Sequence, residues 1–90
     1  MRLPDFKIVY SEEARAFFAS SRVDNKAKRM LYDKIALLSS HPYFGKPLGG
    51  ELHDFRRLAV SYYRVIYHVD EGNLVIDVIK VGLRRDVYDA

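Results

Sequence analysis

Residues 62–81 read Tyr62-Tyr63-Arg64-Val65-Ile66-Tyr67-His68-Val69-Asp70-Glu71-Gly72-Asn73-Leu74-Val75-Ile76-Asp77-Val78-Ile79-Lys80-Val81, and this stretch decides the fold. Two runs of β-branched and aromatic residues flank a short polar linker, 70–73, that contains glycine, which is the pattern of a β-hairpin. Strand alternation puts Tyr63, Val65, Tyr67 and Val69 on one face and Arg64, Ile66 and His68 on the other. The first set reads as core. The second carries a cation in the middle of a sheet, and the hairpin leaves through Gly82-Leu83-Arg84-Arg85-Asp86-Val87-Tyr88, a basic exit bearing a tyrosine.

Working outward, residues 55–60 predict another strand, with Leu58 and Val60 on one face and Arg57 and Ala59 on the other. Before it, Tyr43-Phe44-Gly45-Lys46-Pro47-Leu48-Gly49-Gly50 reads as the main loop, with its two aromatics expected to anchor it to the core. His41-Pro42 ends a helix, because proline disfavours helical backbone at the residue before it. That helix is expected from Asp24 or Asn25 to about residue 40, with Ala27, Met30, Leu31, Ile35 and Leu38 as its buried stripe. Lys26, Lys28, Arg29 and Lys34 lie off the stripe or at its edge and read as a solvated face. An earlier helix is expected from the N-cap Ser11 to about residue 21. Glu12 and Glu13 sit in its first turn, where the helix dipole favours negative charge, and Ala14, Phe17 and Phe18 share a face. Phe6 to Tyr10 reads as a first strand. The order is β-α-α-β-β-β, an α+β architecture with a helical hairpin packed on one face of a mainly antiparallel sheet.

Ninety residues suffice for one modest core, so a single domain over 1–90 is expected. Apolar residues at 49% and charged residues at 30% describe an ordinary globular chain. No apolar run is long enough to span a bilayer, and Pro4 and Asp5 interrupt the N-terminus before any signal-like segment develops. Cysteine is absent, so disulfides and thiolate metal sites are excluded and a cytoplasmic location is expected. His41, His53 and His68 show no metal-ligand spacing, and neither metal nor cofactor is expected. The net charge is +3, but its distribution says more. Residues 1–50 hold nine Lys/Arg against five Asp/Glu, a balance of +4, and residues 51–90 hold six against seven, a balance of −1. An anion site in the second half therefore depends on a few placed arginines rather than on bulk charge.

Four segments together resemble a known family across essentially the whole chain. They are Ile8-Val9-Tyr10-Ser11-Glu12-Glu13-Ala14, His41-Pro42-Tyr43-Phe44-Gly45-Lys46-Pro47-Leu48, Tyr63-Arg64-Val65-Ile66-Tyr67 and Val81-Gly82-Leu83-Arg84-Arg85-Asp86-Val87-Tyr88. The chain resembles the RelE/ParE superfamily of bacterial type II toxin–antitoxin toxins, with the RelE-like branch the nearer. That resemblance implies the β-α-α-β-β-β fold, a separate cognate antitoxin and contact with operator DNA only through the antitoxin complex. It also implies ribosome-dependent cleavage of mRNA in the A site, by metal-independent attack of a ribose 2′-OH on the adjacent phosphate. By motif position the site residues are Arg57, Arg64, Arg84 and Tyr88. Arg64 would hold the scissile phosphate, as suits a planar guanidinium. Arg57 would add charge stabilisation, Arg84 would stabilise charge or protonate the leaving oxygen, and Tyr88 would stack on a base or assist proton transfer.

Two positions depart from the family pattern: Ala59 stands where many relatives carry a second basic residue, and Leu83 where many carry histidine. Both favour the alternative implied by the ParE-like branch, an inhibitor that binds DNA gyrase without cutting RNA. Each site residue also has a plainer role. Arg64 is a solvated arginine or a cross-strand ion pair with a residue such as Asp77, Arg84 and Arg85 protect a strand end, and Tyr88 packs the tail. His68 shares a face with Arg64 and is a secondary proton-carrier candidate, and Glu51 and His53 precede the 55–60 strand closely enough to enter the site.

Overall fold

The computed structural model describes residues 5–50 and 54–87 and places the 62–81 hairpin at the middle of a five-stranded sheet. In chain order the elements are β1 (Lys7–Tyr10), α1 (Glu12–Ala19), α2 (Asn25–Ala36), a 3₁₀ turn (Leu37–Ser39), β2 (Lys46–Pro47), β3 (Phe55–Val60), β4 (Tyr63–Asp70), β5 (Val75–Leu83) and α3 (Arg84–Val87). The sheet order is β1-β5-β4-β3-β2. Only the β1–β5 pair is parallel; the other three are antiparallel. The α+β architecture and the face assignments of β3 and β4 match the sequence expectation, with two additions. β2 is two residues long and contains proline, and α3 is a single turn, so neither has the length over which a period can be read.

The helices end earlier than their patterns suggest. Serine at position 20 takes an extended conformation (φ −72°, ψ 130°) and stops α1 at Ala19. The α-helical bonding of α2 stops at Ala36; the tighter turn Leu37–Ser39 then carries the chain on, and the His41 N–H closes it onto Leu37 O at 2.9 Å. Asp24 is the N-cap of α2, accepting from Lys26 N–H at 3.3 Å. One face of the sheet is covered. Ala14, Phe18, Leu31, Ile35 and Leu38 from the helical layer pack on Leu58, Val60, Val65, Tyr67, Ile76 and Val78. Each such aliphatic side chain, fully buried, contributes about 1.5–3 kcal/mol relative to an exposed one. The opposite face bears no helix of the α1–α2 pair and carries Arg57 and Arg64.

Ser11 joins three elements. The register of β4 against β5 shifts between Ile66 and Tyr67, so Lys80 faces Ile66, Val78 faces Tyr67, and Ile79 is the extra residue of a bulge. A bulge frees a backbone carbonyl from the ladder, and the Ser11 hydroxyl takes it, while the Ser11 N–H continues the β1–β5 ladder. Its N–H donates to Val78 O at 2.9 Å and its hydroxyl to Ile79 O at 2.6 Å. The same oxygen accepts from Ala14 N–H at 3.0 Å as the α1 N-cap. Beside it, Tyr10 meets Phe18 and Tyr32 edge-on at 5.7 and 5.9 Å, while Phe18 and Tyr32 stack at 4.2 Å. Burial, with the neighbouring Tyr32 phenol, pushes the Tyr10 phenol up to about 12.

Replacing Ser11 with Ala is expected to lower unfolding free energy by about 1–2 kcal/mol, the loss of a cap plus the stranding of the Ile79 carbonyl. A denaturant midpoint unchanged from wild type contradicts that. Tyr10 also sets an alkaline limit. Its unfolded value lies near 10, so the unfolded chain releases this proton first as pH rises from 10 toward 12, and stability falls across that window. Denaturation curves at pH 8 and pH 11 are expected to differ less for Tyr10→Phe than for wild type.

Candidate functional site

The site begins with alternation. Leu58 and Val60 turn into the core, so Arg57 and Ala59 emerge on the open face of β3. Directly opposed residues of an antiparallel pair share a face; Arg57 lies across from Ile66, and Ala59 across from Arg64. β2 adds one more position, pairing Lys46 with Arg57. The outcome is a cleft of about 310 Å³ lined by Phe44, Gly45, Lys46, Arg57, Leu58, Ala59 and Arg64. Ala59 acquires a structural meaning: a methyl group beside Arg64 leaves the floor of the cleft open where a long side chain would fill it. Lys46, on the neighbouring strand, adds a cation to the lining of the same cleft. The sequence pattern reads Lys46 as loop, and the β2–β3 pairing places it beside Arg57.

Arg64 is positioned by the chain around it. Its Nη1 donates to Ser61 O at 2.9 Å and to Tyr63 O at 2.7 Å, which holds the guanidinium against the β3–β4 turn. Three cations converging on one open cleft repel one another, and an anion between them relieves that repulsion while accepting charge-assisted hydrogen bonds.

The loop before Lys46 is fastened from the core side, not by its own aromatics as expected. Tyr43 and Phe44 are 46% and 61% exposed. The expected anchor failed because a better one exists. Tyr67, fully buried on β4, accepts from Gly45 N–H at 2.9 Å and donates to Pro42 O at 2.8 Å. Gly45 allows no side chain here: an added Cβ would lie 2.7 Å from Arg57 O and 2.8 Å from Tyr67 Oη. Arg56, on the opposite face from Arg57, donates through Nη1 to Gly45 O at 2.7 Å and Tyr43 O at 3.2 Å, and stands over the Tyr43 ring. The Tyr43 hydroxyl in turn donates to Glu71, in the turn after β4.

The remaining candidates lie elsewhere. Arg84 begins α3 rather than ending a strand, and it lines a second depression, about 400 Å³, with Tyr62, Leu83 and Arg85. It is therefore not in the cleft of Arg57 and Arg64, although its N–H is bound to Tyr62 O at 2.8 Å, one residue from the carbonyls that hold Arg64. Val87 is buried against Gly82, where a Cβ would approach Val87 Cγ2 to 3.2 Å, and Gly82 lies opposite Arg64. Tyr88, Glu51 and His53 lie outside the described residues. His68 stands on the arginine face, but its partners are Phe55, at 5.5 Å between rings, and Asp77, with Nδ1 to Oδ2 at 3.5 Å. Asp77 thus faces His68 in the register and not Arg64, as the cross-strand alternative had it. Among the described residues, no three of His, Cys, Asp or Glu gather as a metal site requires, and no helix is long and apolar enough to cross a membrane.

The family model for the ParE toxin of the type II toxin–antitoxin system parDE matches residues 7–88. The chain belongs to the ParE toxin family. No curated protein matches this toxin in sequence. Among solved structures, it is similar to a "YoeB/ParE toxin" from Agrobacterium tumefaciens, with TM-score 0.76 and 19% identity over 88% of this chain and 99% of that one. It is also similar to the isolated RelE toxin of Escherichia coli (TM-score 0.74, 23% identity, 93% and 92% covered). A third similar structure is the RelBE2 toxin–antitoxin complex from Mycobacterium tuberculosis (TM-score 0.70, 23% identity, 91% and 100% covered). These likenesses establish the RelE-like fold of the toxin.

Arg56 and Arg57 are sequence neighbours on opposite faces, which makes them separable. Arg56→Ala is expected to lower stability by about 1–2 kcal/mol, through the unpaired Gly45 carbonyl, as measured by chemical denaturation. Arg57→Ala is expected to lower toxicity on induced expression by more than Arg56→Ala does. Equal loss of toxicity at equal protein level would remove the distinction between the two faces.

Proposed function

We propose that the toxin is a ribosome-dependent mRNA endoribonuclease. The observation that carries this reading is the convergence of Lys46, Arg57 and Arg64 on one open cleft of phosphate-binding character. In the reaction, the 2′-oxygen of one nucleotide forms a bond to the adjacent phosphorus and the P–O5′ bond breaks, leaving a 2′,3′-cyclic phosphate and a 5′-hydroxyl. Negative charge accumulates on the phosphorane oxygens, where preorganised cations stabilise it more than they stabilise the ground state. Arg64, held by the turn carbonyls, grips the scissile phosphate. Arg57 and Lys46 neutralise the developing charge. Arg84 and Tyr88 act at the rim on the leaving oxygen and the neighbouring base. No metal or cofactor takes part. A cognate antitoxin, a separate chain, masks the cleft in the resting cell, contact with operator DNA runs through that complex, and the toxin acts in the cytoplasm on ribosomes and their mRNA.

A second reading, gyrase inhibition without RNA cleavage, is supported by the ParE family match, by Ala59 and Leu83, and by the separation of Arg84 from the cleft. Primer extension on translating ribosomes, run beside a supercoiling assay with purified gyrase, separates the two. The nuclease reading expects A-site cuts with wild type, at least a hundredfold slower in Arg64→Ala and about ten- to a hundredfold slower in Lys46→Ala, in line with loss of single transition-state contacts. Intact mRNA together with arrested supercoiling would replace it with the gyrase reading.

A further inference from the structure

We infer that the depression formed by Tyr62, Leu83, Arg84 and Arg85 is a nucleobase-stacking subsite, which seats a base of single-stranded RNA next to the phosphate held by Lys46, Arg57 and Arg64. This rests on the nuclease reading for the identity of the strand, and Tyr62 is a residue to which neither the motifs nor the reaction above assigns a role.

A single exposed tyrosine is ordinary on a protein surface. Three features set Tyr62 apart. It is 79% exposed, yet the backbone that presents it is strained and fixed. Val60 pairs with Tyr63, so Ser61 and Tyr62 alone make the turn, and Ser61 has a φ of 55°, a conformation that non-glycine residues adopt at a cost. The three consecutive carbonyls of that turn are all engaged. Ser61 O and Tyr63 O accept from the Arg64 side chain, and Tyr62 O accepts from the Arg84 N–H. The ring is therefore mounted on the same hydrogen bonds that place the candidate phosphate ligand.

The lining chemistry supplies the third feature. The 400 Å³ depression combines one aromatic ring and one leucine with two arginines, and the Arg85 side chain is 84% exposed with its Nε 3.9 Å from Asp86 Oδ1. An exposed aromatic face bordered by guanidinium groups suits a base with its phosphate, since every base offers a π-face and arginine serves both backbone and ring. A rigidly presented ring also loses little entropy on stacking. Tyr62 is thus a positioning residue. By stacking one base it fixes where the adjoining phosphate falls relative to Arg64.

Binding of a fluorescein-labelled 2′-O-methyl RNA oligonucleotide, which cannot be cut, measures the subsite by anisotropy. Purified wild type, Tyr62→Phe, Tyr62→Leu and Tyr62→Ala are compared, with circular dichroism confirming the fold of each. Stacking is worth about 1–3 kcal/mol per base, so Leu and Ala are expected to weaken binding by about tenfold, and Phe by less than twofold. Absence of wild-type binding, or wild-type affinity in Leu and Ala, overturns the subsite. So does a loss confined to antitoxin affinity, which would make this a protein-docking surface. Primer extension on ribosomes with the same variants separates the two claims. Tyr62-dependent binding by a toxin that cuts no mRNA keeps the subsite and removes the nuclease reading. Unaltered binding, rate and cut position in Tyr62→Ala keeps the nuclease reading and removes the subsite.

Discussion

The hydroxyl of Tyr67 is the interaction on which the cleft depends. The ring is fully buried in the sheet–helix core, and its oxygen spans Gly45 N–H and Pro42 O at the lip of the sheet. A buried phenol needs partners, and the burial that pushes its ionisation upward is partly offset by the Gly45 N–H and the nearby Arg56. With Gly45 pinned and closed to any side chain, the chain enters β2 in a fixed register and Lys46 stands beside Arg57. The core thus reaches through the sheet edge to place a cation on the far face. Tyr67 touches nothing that reacts, and Lys46 is where its consequence is felt.

Division of labour between the two faces recurs along the molecule. In β3, Arg56 binds loop carbonyls on one side while Arg57 lines the cleft on the other. In β4, Tyr63, Val65 and Tyr67 face the helices while Arg64 is held by the turn. Period-two alternation therefore separates core side chains from cleft side chains residue by residue.

Strong patterns were legible in the sequence. The two long strands, the caps Ser11 and Asp24, the helical stripe through Leu31, Ile35 and Leu38, and the faces of Arg57 and Arg64 all follow from periodicity and side-chain chemistry. Lys46 was illegible, because a two-residue strand with proline carries no period and its partner is set by a tertiary bond from Tyr67. The exposure of Tyr43 and Phe44 was illegible for the same reason: composition cannot say which group anchors a loop when a buried phenol competes for its backbone. The motif groups Arg84 with the other arginines, but the chain turns into α3 at that residue and Arg84 lines a second depression. The bulge at Ile79, which offers its carbonyl to the Ser11 hydroxyl, leaves no signal in the strand pattern around it.

A double-mutant cycle between Tyr67→Phe and Lys46→Ala, read as the rate of A-site mRNA cleavage, tests the central claim that a core phenol builds the phosphate cleft by placing Lys46. Phe keeps the ring and removes only the hydroxyl, so the sheet remains packed while the loop is released. Coupling is predicted: removing Lys46 costs much less rate in the Tyr67→Phe background than in wild type. Losses that simply add, or a wild-type toxin that leaves the mRNA whole, would contradict it.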